Sequence, residues 1–174
     1  MDASADPLER RVSELERRLA ELTSAVESAP HRTGDRHPPD VFWALEGLRE
    51  RVGDDTAGAV LFTGTVNLPT GEHYDWQLGT AVADMLGADW SDWATTLGAL
   101  GHPVRLLLLR RVLAGTRTAT ELATDDALGT TGQIYHHLRQ LVSAGWLHSS
   151  ARGQYAVPGE RVVPLLVVLS GVQR

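Results

Sequence analysis

The chain has 174 residues, 43% of them hydrophobic, which suits one ordinary domain or a small domain with a long extension. It contains no cysteine, which excludes disulfides, thiolate metal sites and a cysteine nucleophile. There is no run of about 18 apolar residues and the N-terminus is acidic, so we expect no transmembrane helix, no signal peptide, no membrane partner and a cytoplasmic location.

The net charge of -6 is unevenly distributed along the chain. Residues 94–174 contain eight arginines and four acids, a net charge of +4, whereas residues 1–93 carry -10. Because phosphate contacts need local positive charge, this asymmetry is what a DNA-reading module behind an acidic extension would show. All 16 basic residues are arginine, which we attribute mainly to GC-rich coding.

The first predicted element is a helix with a heptad seam. Its apolar residues alternate at spacings of four and three: Leu8, Val12, Leu15, Leu19, Leu22 and Val26. The seam predicts a short coiled coil with Leu15, Leu19 and Leu22 in a dimer interface. The alternative is an amphipathic helix lying on its own domain. Residues 28–40 are rich in proline and predict a linker after a helical segment at 1–27.

Residues 41–90 predict a helix followed by a β-hairpin. Helical spacing runs from Val41 to Val52, and alternating segments at 59–67 and 72–78 flank a Pro-Thr-Gly turn. We expect the apolar face of the hairpin, which includes Val60 and Leu78, to pack on a helix, on the C-terminal domain or on a second subunit, because two strands are not stable alone. The alternative is a small-molecule pocket. A small-molecule or protein effector, if one exists, is expected to act on this region.

Three helices are predicted between the hairpin and Gly115. The first covers about residues 80–86, and the second ends near Leu100 with Trp93, Leu97 and Leu100 turned inward. The third begins at Pro103, a residue suited to the first turn of a helix, and ends at Gly115. Its spacing places Arg105, Arg110 and Arg111 largely outside.

A helix-turn-helix and a basic hairpin are predicted next. Segments 118–124 and 130–144 begin with capping boxes, Thr118 to Glu121 and Thr130 to Gln133, and a short glycine-containing loop joins them. The apolar stripe of the second helix consists of Ile134, Leu138, Leu141 and Val142. Its polar face contains no acid. Segments 146–149 and 154–157 predict two strands around a tip at 151–153.

These segments resemble winged helix-turn-helix transcription regulators of the arsenic-repressor (ArsR) type. The resemblance covers about residues 90–172 and rests on Leu97-Gly-Ala-Leu-Gly-His-Pro-Val-Arg-Leu106, Thr118-Ala-Thr-Glu-Leu-Ala123, Ile134-Tyr-His-His-Leu-Arg-Gln-Leu141 and Ala144-Gly-Trp-Leu147. It implies a mainly α protein with small β content. A winged domain at 91–174 would follow a coiled-coil-like helix and a helix-plus-hairpin extension at 41–90.

The resemblance also implies a bacterial, homodimeric regulator that binds double-stranded DNA sequence-specifically, and we expect a repressor. The residues expected to contact DNA are Thr130, Thr131, Gln133, Tyr135, His136, Arg139 and Arg152. Gln133 would pair with adenine in the major groove, and Arg152 at the wing tip would contact the backbone or minor groove. Gly132 stands where the family often has serine. The terminal helix would form the dimer interface through Val162, Leu165, Leu166 and Leu169.

Other functions have weaker support. Metal sensing is common in the family but is not expected here. The family's site on the first helix of the helix-turn-helix would fall near residues 122–124, which hold no ligand, and for the family's other site the terminal helix offers only Glu160. We therefore expect no metal and no cofactor. The alternative to DNA binding is a winged-helix adaptor for a protein or small molecule, supported by the overall acidity, the acidic extension and Gly132. No phosphate-binding loop or His-Glu-x-x-His motif occurs, so we expect no enzyme.

Overall fold

The computed structural model describes residues 7–28, 41–53, 57–150 and 153–173, with side chains in the first helix described from Arg11 to Glu21. The chain divides into two compact units, residues 1–46 and 47–174. Residues 29–40 of the predicted linker lie outside the described residues. The hairpin and the helices after it belong to the second unit, and the predicted domain boundary at residue 90 stays a prediction.

The first unit contains helix α1, Pro7–Ser28, at the position that the heptad pattern predicts. Its seam residues Leu15 and Leu19 are exposed. Arg17 pairs with Glu14 and Glu21 of the same helix at 2.8 and 2.7 Å, contacts that stabilise an exposed helix only slightly. The coiled coil stays a prediction, and the side chain of Leu22 lies outside the described residues.

Helix α2, Trp43–Val52, precedes an antiparallel hairpin of strands β1, Ala59–Asn67, and β2, His73–Ala81. The register runs from Ala59 opposite Ala81 to Asn67 opposite His73. The turn is closed by the N–H of Leu68, which donates to the carbonyl of Glu72 at 2.9 Å. Both predicted strands are confirmed, and the second begins one residue later and ends three residues later than predicted.

The hairpin packs on helix α8, Gly159–Gly171, of the same chain. A Cβ on Gly64 would lie 2.7 Å from Cγ1 of Val163, and a Cβ on Gly159 would lie 3.1 Å from Cε1 of Tyr74. The expected packing on a helix is therefore confirmed. Val60 and Leu78 are exposed, contrary to expectation, because α8 covers the middle and the turn end of the hairpin and leaves its open end uncovered.

Three helices follow: α3, Val82–Gly87, α4, Ser91–Leu100, and α5, Pro103–Leu113. Leu100 is buried as predicted, but the prediction was wrong for Trp93 and Leu97, which are 38% and 52% exposed. Only the C-terminal end of α4 reaches the core. The rest of its apolar side therefore lies on the surface of the single chain.

The predicted helix-turn-helix region consists of α6, Ala119–Leu122, a 3₁₀ turn at Asp126–Leu128 and α7, Thr131–Ser143. Both predicted capping boxes are formed. A short hairpin follows, with β3, His148–Ser149, paired with β4, Tyr155–Ala156. Gln154, next to β4, also forms a bridge to Thr118 at the start of α6. The molecule is thus mainly helical with small antiparallel sheets.

One core joins α4 to α8 with the short hairpin. Its fully buried members are Leu108, Leu109, Leu122, Leu128, Ile134, Leu138, Leu141, Val162 and Leu165. Val162 and Leu165, expected in the dimer interface, have no exposed surface. The assignment of these two residues is corrected: the helical core and the β1–β2 hairpin enclose this side of α8 within one chain, so neither side chain is left for a partner.

Candidate nucleic-acid interface

The exposed side of α7 carries most of the predicted contact residues. Ile134, Leu138 and Leu141 are fully buried and fix the helix on α5 and α6. The residues left exposed along the opposite side are Thr131, Gly132, Gln133, Tyr135, His136, Arg139 and Gln140. Val142 is also exposed, at 36%, although the sequence predicts it in the buried stripe. The exposed face of α7 is therefore wider than the spacing alone indicates, and it includes one apolar side chain.

Two of the predicted contact residues form the N-terminal cap of α7. The N–H of Gln133 donates to Oγ1 of Thr130 at 3.4 Å, and Oε1 of Gln133 accepts from the N–H and the hydroxyl of Thr130 at 2.9 and 3.0 Å. A Cβ on Gly129 would lie 2.6 Å from that Oε1, and the φ of this residue is +83°. Glycine at 129 is thus needed both for the backbone conformation and for the cap.

Positive charge on this face comes from Arg139, beside the exposed imidazole of His136. The Nε of Arg139 donates to the carbonyl of Tyr135 at 3.2 Å, one turn earlier. No acid pairs with Arg139 among the residues that the structure describes. The remaining guanidinium donors can therefore bind an external phosphate oxygen without first breaking an internal ion pair.

Most other arginines of the basic half are engaged within the protein. Arg111 pairs with Asp125 at 2.6 Å and Arg117 with Glu72 at 2.6 Å. Arg161 lies over the ring of Trp146, 5.2 Å from its centroid. The hydrogen bond from Arg111 lowers the pKa of Asp125, and the one from Arg117 lowers the pKa of Glu72. The +4 of residues 94–174 therefore overstates the charge that faces outward.

Arg105 makes contacts between helices that the sequence did not reveal. Its Nε and Nη2 donate to the carbonyls of Ala99 and Gly98 at 2.5 and 2.9 Å, and its Nη1 donates to Oε1 of Gln140 at 2.6 Å. Predicted outside, it instead joins the end of α4 to α7. Helical spacing gave no signal for this contact, because its partners lie on other helices and Gln140 is 35 positions away.

The short hairpin lies where the wing is predicted. Beyond β3, the N–H of Ser150 donates to the carbonyl of Gln154 at 2.9 Å, and Gly153 adopts a φ of +70°. The predicted tip contact Arg152 lies outside the described residues. The geometry therefore places the hairpin strands, while the role of Arg152 stays a prediction.

No protein-family model and no curated protein sequence matches the chain. In the part of the chain that the structure describes, no helix combines the length and the apolar character needed to cross a bilayer.

Proposed function

We propose that the protein is a homodimeric, sequence-specific DNA-binding transcription regulator with a winged helix-turn-helix domain, and that it acts as a repressor. The observation that carries the proposal is the exposed side of α7, a capped helix whose outward side chains, apart from Val142, are hydrogen-bonding groups with no acid among them. In this mechanism α7 enters the major groove and Thr131 and Gln133 meet base edges. Tyr135, His136 and Arg139 contact the flanking phosphates.

The arrangement around α7 supports the same proposal. The order α6, turn, α7 and β3–β4 is that of a winged helix-turn-helix, and the bridge between Thr118 and Gln154 ties the hairpin to the start of α6. Arg152 would lie at the tip of the hairpin, beside the backbone or the minor groove.

Homodimerisation is supported by an apolar groove between α5 and α8. The residues that line the groove and retain surface include Leu106, Leu107, Leu113, Leu166 and Leu169, together with Pro103 and Arg110. Leu166 and Leu169 are only partly covered, so both retain surface for a partner. Exposed apolar residues of α3, of α4 and of the segment between them, including stacked Trp90 and Trp93, add to the surface that a second copy of the chain would bury.

The proposal is tested by selecting bound duplexes from a random pool with the purified full chain and titrating salt on the selected duplex. We expect an enriched two-fold symmetric site, with half-sites about 34 Å apart, and affinity that falls steeply with salt. Absence of both enrichment and salt-dependent binding would contradict DNA recognition.

A winged-helix adaptor is the second candidate, and one observation favours it. With Arg105, Arg111, Arg117 and Arg161 used for internal contacts, Arg110 and Arg139 are the exposed arginines in the described part of residues 94–174. An effector of either candidate would act on the 41–90 region, where a cleft of about 210 Å³ lies between the hairpin turn, α5 and β4. Selective capture of a defined protein or small molecule, without DNA binding, would favour the adaptor.

A further inference from the structure

Two histidines, one at the N-cap of α5 and one on α7, meet at the inner edge of α7. His102 precedes α5 and caps it, with its Nδ1 accepting from the N–H of Val104 at 3.2 Å. His137 is half-buried on α7, and the centroids of the two rings are 4.5 Å apart with their planes tilted by 40°. This histidine pair therefore forms part of the contact between α5 and α7.

The surroundings of His137 oppose a positive charge. Its Nδ1 is buried and has no hydrogen-bond partner among the described residues. Burial is the main cause that lowers the pKa of His137, and His102 at the N-cap of α5, His136 on α7 and Arg105 on α5 lower it further. A hydrogen bond with Gln140 acts in the opposite direction. No acid is among the groups that act on this imidazole.

Arg105 cannot easily move away from the pair. Its guanidinium is held by the carbonyls of Gly98 and Ala99 and by the side chain of Gln140. A proton added to His137 would therefore place a second cation in a half-buried site beside a fixed one. Moving α7 away from α5 would reduce the repulsion between protonated His137 and Arg105, and it would return the charged imidazole to water.

We propose that the histidine pair makes the packing of α7 against α5 depend on pH, so that mild acid weakens the contact between α7 and the rest of the domain. The structural part of this proposal stands on the contacts above. Its consequence for DNA rests on the proposed function: the helix that reads the duplex would lose its fixed orientation, and affinity for the operator would fall as the pH falls.

The direction of the pH effect follows from linkage. An unfolded histidine binds its proton near pH 6.5, whereas folded His137 binds it only at lower pH. The unfolded state therefore binds more protons in the interval between the two values. The stability contributed by neutral His137 is fully present above about pH 6.5 and is lost as the pH falls below that value.

The first experiment measures thermal unfolding of the full chain at pH 7.5 and pH 5.5 for the native protein, His137→Gln and His148→Gln. His148 is an exposed histidine outside the pair and serves as the matched control. We expect the acid-induced fall in the midpoint to be smaller by about 2–4 °C in His137→Gln than in the native protein and in His148→Gln. Equal falls in all three proteins would overturn the proposal.

A second measurement needs no variant and covers the case in which His137→Gln does not fold. The ring protons of His137 are followed by NMR as the native protein is titrated. We expect a midpoint below about 6.5, with amide shifts along α7 and at the start of α5 following the same curve. A midpoint at or above that value, or α7 amides that do not respond, would overturn the proposal.

The DNA consequence is measured on the selected duplex at both pH values and constant ionic strength. We expect affinity to fall at pH 5.5 in the native protein and to fall less in His137→Gln. An equal fall in both would overturn the consequence for DNA. If the protein binds no DNA at all, the proposed function fails, while the unfolding and NMR experiments still decide on the histidine pair.

Discussion

Oε1 of Gln133 accepts two hydrogen bonds from Thr130, one from its backbone N–H at 2.9 Å and one from its hydroxyl at 3.0 Å. A carbonyl oxygen has two lone pairs, so this cap uses the acceptor capacity of the side chain. Bidentate pairing of Gln133 with adenine would require the adenine amino group to displace the Thr130 hydroxyl. The amide NH₂ can still donate to an acceptor on a base edge, which makes a one-sided contact the expected mode.

The first prediction separates the cap from the contact with DNA. In Gln133→Glu a carboxylate can still complete the capping box, and its charge is favourable at a helix N-terminus. We expect the free energy of unfolding to be unchanged or raised by up to about 1 kcal/mol, measured by urea titration. The same carboxylate would repel the duplex and remove the amide donor. Affinity should fall by about tenfold or more, measured by fluorescence anisotropy.

Gln133→Ala is the companion variant, because it removes the cap and the contact together. We expect it to lower stability by about 0.5–1 kcal/mol and to relax base preference at one position of the site. Unchanged affinity in Gln133→Glu would contradict the placement of this side chain at the DNA interface.

The features that the sequence predicted well are those set by neighbours along the chain. A capping box needs residues only three positions apart, so Thr118–Glu121 and Thr130–Gln133 could be read directly. The stripe of Ile134, Leu138 and Leu141 follows helical spacing for the same reason.

The features that were missed depend on what other elements cover. Spacing marked Trp93 and Leu97 as apolar but gave no information on whether a neighbour reaches them, and in the single chain none covers them fully. The contact between Arg105 and Gln140 and the contact between His102 and His137 join residues 35 positions apart. Such pairs become visible only when α5 and α7 are placed side by side.

The second prediction concerns Arg105. Its replacement by alanine removes hydrogen bonds to two carbonyls at the end of α4 and to Gln140 on α7. Hydrogen bonds from a charged donor contribute more than neutral ones, and the carbonyls lose partners, so we expect a loss of about 2–3 kcal/mol in the free energy of unfolding.

Arg110→Ala is the control, because Arg110 is exposed on the same helix, and it should change stability by less than about 0.5 kcal/mol. Similar losses in both variants would contradict the role of Arg105 in joining α4 to α7.

The third prediction tests the contact between the hairpin and α8. In Gly64→Ala the new Cβ would lie 2.7 Å from Cγ1 of Val163, which forces one element to move and should cost about 1–3 kcal/mol. Gly79→Ala is the matched control in the other strand, where the nearest atom would be Cδ1 of Leu61 at an ordinary 3.7 Å.

A compensating change makes this test specific. Val163→Ala removes the methyl groups that the new Cβ would meet, so Gly64→Ala with Val163→Ala should be less destabilised than the two separate losses added together. Strict additivity in urea unfolding would show that Gly64 does not pack on α8 in solution.

The last prediction concerns the apolar groove between α5 and α8. Leu169 lines this groove, whereas its neighbour Val168 is exposed outside it. If a second copy of the chain occupies the groove, Leu169→Glu would bury an unpaired carboxylate at the interface, and the cost of several kcal/mol should convert the dimer to a monomer. Val168→Glu introduces the same charge one residue away and should remain dimeric.

Sedimentation velocity gives the masses, and circular dichroism establishes that both variants retain their helices. A folded Leu169→Glu that sediments as a dimer would remove this groove from the interface. The exposed apolar residues of α3 and α4 would then be the surface to test next.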